Sequence, residues 1–153
     1  PWVVQFDTFA TRSECERLIE YGQKLGYESS QTVGRVREDG SVEEGISNNP
    51  VRTSTNAWCQ GDCEHDPIVE PLIQRIEDVL GIPKENSEYL QLLKYEEGQF
   101  YRKHHDFLEH HLNRPQGPRI LTLFLYLNDV EEGGETRFTS LNLDVKPRRG
   151  RAI

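Results

Sequence analysis

The chain has 153 residues, with 18 Lys plus Arg against 26 Asp plus Glu, a formal net charge of −8 and a sequence pI near 5.1. So acidic a balance lacks the clustered basic charge that grips phosphate backbones, which excludes DNA or RNA as the main partner. The longest apolar run, Ile120 to Leu127, is interrupted by Thr122 and is far shorter than the ~20 residues of a membrane-spanning helix, so this segment is expected to make no membrane contact.

A hydrophobic content of 35% suffices for one core. A domain of this size buries roughly 70% of its unfolded surface, and a single domain over residues 1–153 is expected. The sequence starts at Pro1, contains no Met and closes on Arg151-Ala152-Ile153, which reads as a piece cut from a longer product. Three cysteines cannot all pair with one another. Cys59 and Cys63 flank Gln60-Gly61-Asp62 and either form a local disulfide, which points to an oxidising compartment, or stay thiols like Cys15. A zinc site is disfavoured, because no second Cys or His pair stands nearby.

Thr11 followed by Glu14 makes a capping box for a first helix, with Cys15, Leu18, Ile19, Gly22 and Leu25 on one face and Gly26 as a left-handed stop. Residues 28–56 carry Gly34, Asp39-Gly40, Gly45 and Asn48-Asn49-Pro50 among many charges, and read as a polar loop or flap. A second helix starts near Asp66-Pro67. Ile68, Val69, Leu72, Ile73, Ile76 and Leu80 form its stripe, Gly81 ends it, and Pro71 delays the regular part to about Glu70.

From Glu88 onward the pattern is that of strands. Tyr89 to Tyr95 alternates, with Tyr89, Gln91, Leu93 and Tyr95 on one face, and Phe100 to Asp106 is a further extended run. Ile120 to Leu127 is apolar on both faces, with Thr122, Phe124 and Tyr126 on one of them, which predicts a central strand covered on both sides. After Asn128 to Gly134, the segment Glu135 to Thr139 returns antiparallel and brings Thr136 towards Tyr126. Helices followed by strands indicate an α+β fold whose sheet side closes as a sandwich or barrel.

Four of the five histidines lie within His104-His105-Asp106-Phe107-Leu108-Glu109-His110-His111. In an extended strand His104 and Asp106 share a face at roughly 6 to 7 Å between Cα atoms, close enough for an imidazole and a carboxylate to converge on one metal ion. With a second imidazole from elsewhere this is the two-histidine, one-carboxylate face that leaves iron(II) open positions for a chelating co-substrate and dioxygen. A helical alternative pairs Asp106 with His110 and His104 with His111 instead. Alone, His-x-Asp is also what two surface residues of an edge strand look like. His-Glu-x-x-His is absent, which disfavours a zinc protease.

The surroundings are more specific. Leu90 to Tyr101, with Lys94-Tyr95-Glu96-Glu97-Gly98 within it, leads into His104-x-Asp106. Arg119 to Asn128 and Glu132-Gly133-Gly134-Glu135-Thr136 follow, and Val51-Arg52-Thr53-Ser54 and Val145-Lys146-Pro147-x-x-Gly150-x-Ala152 frame them. Over nearly its whole length the chain resembles the prolyl 4-hydroxylase family of iron(II)- and 2-oxoglutarate-dependent dioxygenases, in its plant, algal and collagen-type branch. The resemblance implies a double-stranded β-helix (jelly roll) core with supporting N-terminal helices. It also implies an enzyme that hydroxylates C4 of peptidyl proline with dioxygen and 2-oxoglutarate, giving 4-hydroxyproline, succinate and carbon dioxide, with ascorbate keeping the iron reduced.

By the same resemblance His104 and Asp106 ligate the iron, and Tyr95, Thr136 and Tyr126 line the 2-oxoglutarate pocket. Tyr101 and Arg119 face a proline-rich peptide, and Trp58 offers a surface on which a proline ring stacks. Core packing is the plain alternative for each tyrosine. The family's second iron-binding histidine and a lysine that pairs with 2-oxoglutarate follow the Lys-Pro-x-x-Gly-x-Ala segment, and neither precedes Ile153. His65 is too early in the chain and His110 or His111 too near His104 to substitute, so the segment alone is expected to bind iron poorly and to be inactive. Location in the endoplasmic reticulum or secretory pathway is the family's. Two other readings remain open: a 2-oxoglutarate oxygenase acting on another substrate, and a non-catalytic jelly-roll binding module.

Overall fold

The computed structural model describes residues 2–32, 51–108, 111–112 and 117–153. Most of the polar flap expected over 28–56 lies outside these residues, as do Glu109 and His110. Among the described residues, two strands lie between the two α-helices and three more follow, so the helices do not precede all the strands as expected; the strands pair antiparallel, an α+β arrangement. No helix among the described residues is long and apolar enough to cross a membrane.

Thr11 opens α1 (Arg12–Leu25) through the expected reciprocal pair: its hydroxyl accepts from the Glu14 N–H at 3.3 Å, and the Glu14 carboxylate accepts from the Thr11 N–H at 2.7 Å. The buried face comprises Glu14, Cys15, Leu18, Tyr21 and Gly22, while Leu25 is exposed. Gly22 has no room for a side chain because the Tyr27 hydroxyl lies where a Cβ would stand. Gly26 ends the helix at φ 82° and ψ 134° rather than in the left-handed turn expected, since the chain runs straight on into β1 (Glu28–Ser29).

The second helix, α2 (Glu70–Leu80), begins where Pro71 permits, within a first turn whose N–H groups have no helical acceptor in any case. An irregular turn precedes it, in which Asp66 Oδ1 accepts from the Ile68 N–H at 2.9 Å. Gly81 closes it at φ 63° and ψ 22°, the conformation that a Cβ disfavours.

Strands β2 (Thr55–Cys59) and β3 (Leu90–Lys94) pair antiparallel with Ala57 opposite Leu92 and Trp58 opposite Gln91, and β1 adds to the other edge of β2. Strand alternation turns Ala57 and Cys59 into the core and Trp58 outward. Leu18, Val69, Leu72 and Leu92 fill the space between helices and sheet. Burying one such leucine side chain stabilises by about 1.5–3 kcal/mol. Cys59 and Cys63 form a disulfide, and Cys15 is a buried free thiol.

Two polar clasps tie the helices together. Arg17 donates from Nε and Nη2 to Asp66 Oδ2 at 2.9 and 2.7 Å, and the Tyr21 hydroxyl donates to the same oxygen at 3.0 Å. Those donors, Arg17 foremost and against the opposing effect of burial, hold the Asp66 carboxyl down at about 2. Arg75 reaches back to Glu14 at 2.9 and 3.1 Å and to the Phe9 carbonyl at 3.0 Å. Burial pushes Glu14 up, but the hydrogen bonds from Arg75 and Thr11 outweigh it and the net shift is downward.

The C-terminal half departs from expectation. Phe100 to Asp106 is no regular strand; Tyr101 alone makes a bridge, to Arg52. Residues 104–108 are not helical either, which removes the helical alternative there. The segment Thr136 to Phe138 (β4) pairs with Leu143 to Val145 (β5) in a local hairpin. Ile120 to Leu127 is not covered on both faces: Ile120 is 81% and Leu121 48% exposed. Among the described residues its later part is paired, Phe124 and Tyr126 exchanging backbone hydrogen bonds with residues 150–153. An apolar run reports what a strand tolerates, whereas its cover is set by pairings distant in sequence.

Candidate metal centre

Arg52 and Tyr101 form the bridge that delivers the chain to His104. Backbone bonds from Arg102 N–H to the Val51 carbonyl at 2.8 Å and from Thr53 N–H to the Phe100 carbonyl at 2.9 Å hold the two segments side by side. The Tyr101 ring then stacks on the His104 imidazole, centroids 3.6 Å apart and 15° from parallel, and the Arg52 guanidinium lies 4.6 Å from the same phenol ring. Arg52 is itself buried and donates to Ser54 Oγ at 3.0 Å, which donates to Ser30 Oγ at 3.0 Å.

His104 Nε2 and Asp106 Oδ1 face each other at 3.2 Å. Each side chain is also tethered at its far atom. His104 Nδ1 lies 2.8 Å from the Arg102 carbonyl oxygen, which can only accept, so this nitrogen carries a proton. Asp106 Oδ2 accepts from the Thr122 hydroxyl at 2.6 Å. With Nδ1 protonated, the contact to Asp106 needs a second proton on Nε2. The Asp106 hydrogen bond accordingly raises the His104 pKa against burial. In return His104 holds the Asp106 carboxyl at about 2, again against burial and with help from Thr122 and Arg119.

This arrangement fits a divalent cation. The inner atoms are one imidazole nitrogen and one carboxylate oxygen, and the charge between them is a proton that a metal can displace. Among the described residues no group of three His, Cys, Asp or Glu converges, so the pair supplies two donors of such a face.

The other expected site residues are distributed unequally. Tyr126 is buried, its ring meeting Phe124 edge-on at 5.0 Å. Its hydroxyl donates to Thr136 Oγ1 at 2.6 Å, with the Val145 carbonyl oxygen 3.2 Å away. Burial raises the Tyr126 pKa, and the Thr136 hydrogen bond opposes the rise, so the phenol stays a neutral donor. Arg119 forms a bidentate pair with Glu88 at 2.6 and 2.7 Å and is close enough to Asp106 and Tyr101 to interact with their charges. Tyr95 follows β3 and is 40% exposed. Trp58 points away from the core, and none of the described contacts joins it to the His104–Asp106 pair.

Sequence reasoning missed the two tethers. The Arg102 carbonyl is backbone and leaves no residue signal. Thr122 is visible as the lone threonine in an apolar run, on the face shared with Phe124 and Tyr126.

Comparison with known proteins identifies the setting of this pair. The sequence profile of the 2OG-Fe(II) oxygenase superfamily matches residues 90–153, the stretch that carries it. "Probable prolyl 4-hydroxylase 8" of Arabidopsis thaliana is 40% identical over 146 residues, covering 95% of this chain and 47% of that protein. A second Arabidopsis thaliana relative, "Prolyl 4-hydroxylase 5", is 39% identical over 139 residues, 90% of this chain and 45% of the relative. Among solved structures, the viral collagen prolyl hydroxylase of Paramecium Bursaria Chlorella virus-1, crystallised as a 2OG complex, superposes with a TM-score of 0.71 at 26% identity, over 97% of this chain and 74% of that one. The chain spans about half the length of the curated relatives it matches.

Proposed function

We propose that this chain is part of a prolyl 4-hydroxylase, which hydroxylates C4 of proline in a proline-rich peptide or protein with dioxygen and 2-oxoglutarate. The observation that carries the reading is the facing of His104 Nε2 and Asp106 Oδ1 at 3.2 Å inside the segment matched to the superfamily. The names of the similar proteins support the substrate, and the superposition with a collagen prolyl hydroxylase supports a double-stranded β-helix around the site.

His104 and Asp106 would hold iron(II), which supplies the dioxygen and redox chemistry of the reaction. The rest falls to the protein. Tyr126 and Thr136 present paired hydroxyls beside Val145, a polar spot inside an apolar wall, and a 2-oxoglutarate carboxylate can take up those donors. Tyr95 would border the same pocket. Tyr101, stacked on the ligand imidazole, and Arg119, poised next to Asp106, face the space where a peptide must approach, and Trp58 offers an exposed indole farther out. Ascorbate would serve as reductant of the iron. The Cys59–Cys63 disulfide is what the oxidising secretory pathway permits and supports that location.

The test is succinate release from 2-oxoglutarate by the full-length protein with iron(II), ascorbate and proline-rich peptides. His104→Ala and Asp106→Ala are each expected to lower peptide-dependent turnover at least 100-fold. Unchanged turnover in both variants would overturn the assignment.

A further inference from the structure

The two metal-facing side chains are anchored in different ways. The imidazole is fixed twice, by the Arg102 carbonyl at Nδ1 and by the Tyr101 ring against its face, and neither contact depends on a side-chain hydroxyl. Among the described residues the carboxylate has one side-chain hydrogen-bond anchor besides His104 itself, the Thr122 hydroxyl at 2.6 Å. Asp106 is about two-fifths exposed, so no packed wall prevents it from turning about its last torsion. A free carboxylate presents either oxygen, or both, to a cation.

Thr122 removes that freedom by engaging Oδ2. The oxygen left inward is Oδ1, the one that faces His104 Nε2. The anchor comes from outside the ligand loop: Thr122 lies sixteen residues further on, in the run whose later residues Phe124 and Tyr126 are stitched to residues 150–153. A hydrogen bond of this length to an anion is of the stronger, charge-assisted kind. Outer partners of this sort fix the orientation of metal-bound carboxylates, and their loss typically costs roughly 10- to 100-fold in metal affinity.

We propose that Thr122 is a positioning residue of the metal centre, whose hydroxyl holds Asp106 with Oδ1 alone turned towards the cation. The inference rests on the iron reading of His104 and Asp106 and deepens it. The experiment is titration of the metal-free full-length protein with cobalt(II), following its visible absorption, for the wild type, Thr122→Val, Thr122→Ser and Asp106→Ala. Valine keeps the shape of threonine without the hydroxyl; serine keeps the hydroxyl.

Expected are about 10- to 100-fold weaker cobalt binding and an altered visible spectrum in Thr122→Val, near wild-type binding in Thr122→Ser, and loss of binding in Asp106→Ala. Circular dichroism melting of the metal-free proteins checks folding, and equal melts with unequal cobalt binding support the proposal. Wild-type binding in Thr122→Val alongside loss in Asp106→Ala overturns the role of Thr122 and leaves the iron reading standing. Wild-type binding in Asp106→Ala overturns both. Equal weakening in the valine and serine variants overturns the hydroxyl's part as well, because it attributes the effect to packing.

Discussion

The helices with the three-stranded sheet and the stretches Tyr101 to Leu108 and Ile120 to Thr122 are held together by different means. In the former, Cys15, Leu18, Cys63, Val69 and Leu72 are at most 2% exposed, and ion pairs with a disulfide close the edges. In the latter, Phe107 is 47%, Leu121 48% and Ile120 81% exposed, and order comes from a few polar contacts: a carbonyl on His104, a hydroxyl on Asp106, a stacked ring. Stability thus resides in one region and the proposed metal pair, His104 with Asp106, in the other. A residue that matters greatly to one is expected to matter little to the other.

The sharpest way to break this contrast is to empty the core. Leu72→Ala, fully buried between α2 and the sheet, is expected to cost about 2–5 kcal/mol in urea unfolding while the local geometry of His104 and Asp106 persists in the folded fraction. Next comes the disulfide. Replacing Cys59 and Cys63 by serine opens a loop with a sequence separation of 4, for which chain entropy gives about 2 kcal/mol, readable as a lower melting midpoint.

Acid tests the helix clasp in a defined window. Asp66 is held at about 2 when folded, against an ordinary value of 3.8, so the unfolded chain binds its proton first. Its stabilising contribution is complete above about pH 4 and is lost as pH falls towards 2. Asp66→Asn should therefore be less stable at neutral pH and show a flatter acid limb in unfolding measured from pH 5 to 2. An unchanged acid limb would remove Arg17–Asp66 from the account. The smallest effect is expected from His104→Ala, about 1 kcal/mol or less, since it loses one stacked ring and one open ion pair. A large loss there would mean that the site region is part of the stabilising core after all.

How much was legible beforehand follows the same division. The capping box at Thr11 and Glu14, the Pro71 and Gly81 limits of α2 and the pairing of His104 with Asp106 are short-range features, written in residues a few positions apart. The contact of Tyr126 with Thr136 was also anticipated, because a turn rich in glycine separates them. The cover of Ile120 to Leu127 was misjudged, since apolar side chains do not say which distant backbone lies beside them. Arg52 stands in the sequence as part of a motif, and the stacking that links it to the His104 imidazole through Tyr101 depends on a bridge across 49 positions.

The segment from Gly150 to Ile153 has a backbone neighbour on either side. Phe6, Phe9 and Ala10 bond to it from the beginning of the chain, and Phe124 and Tyr126 bond to it from the apolar run that carries Thr122. A Cβ at position 150 would collide with the Ala10 carbonyl, and Ala152 is wholly enclosed. The small residues of Lys-Pro-x-x-Gly-x-Ala thus answer to architecture rather than to reactivity. They let three stretches of main chain lie together, so that an enlargement at Gly150 would wedge the amino-terminal segment away and be felt, through Tyr126, at the hydroxyl pair that it forms with Thr136.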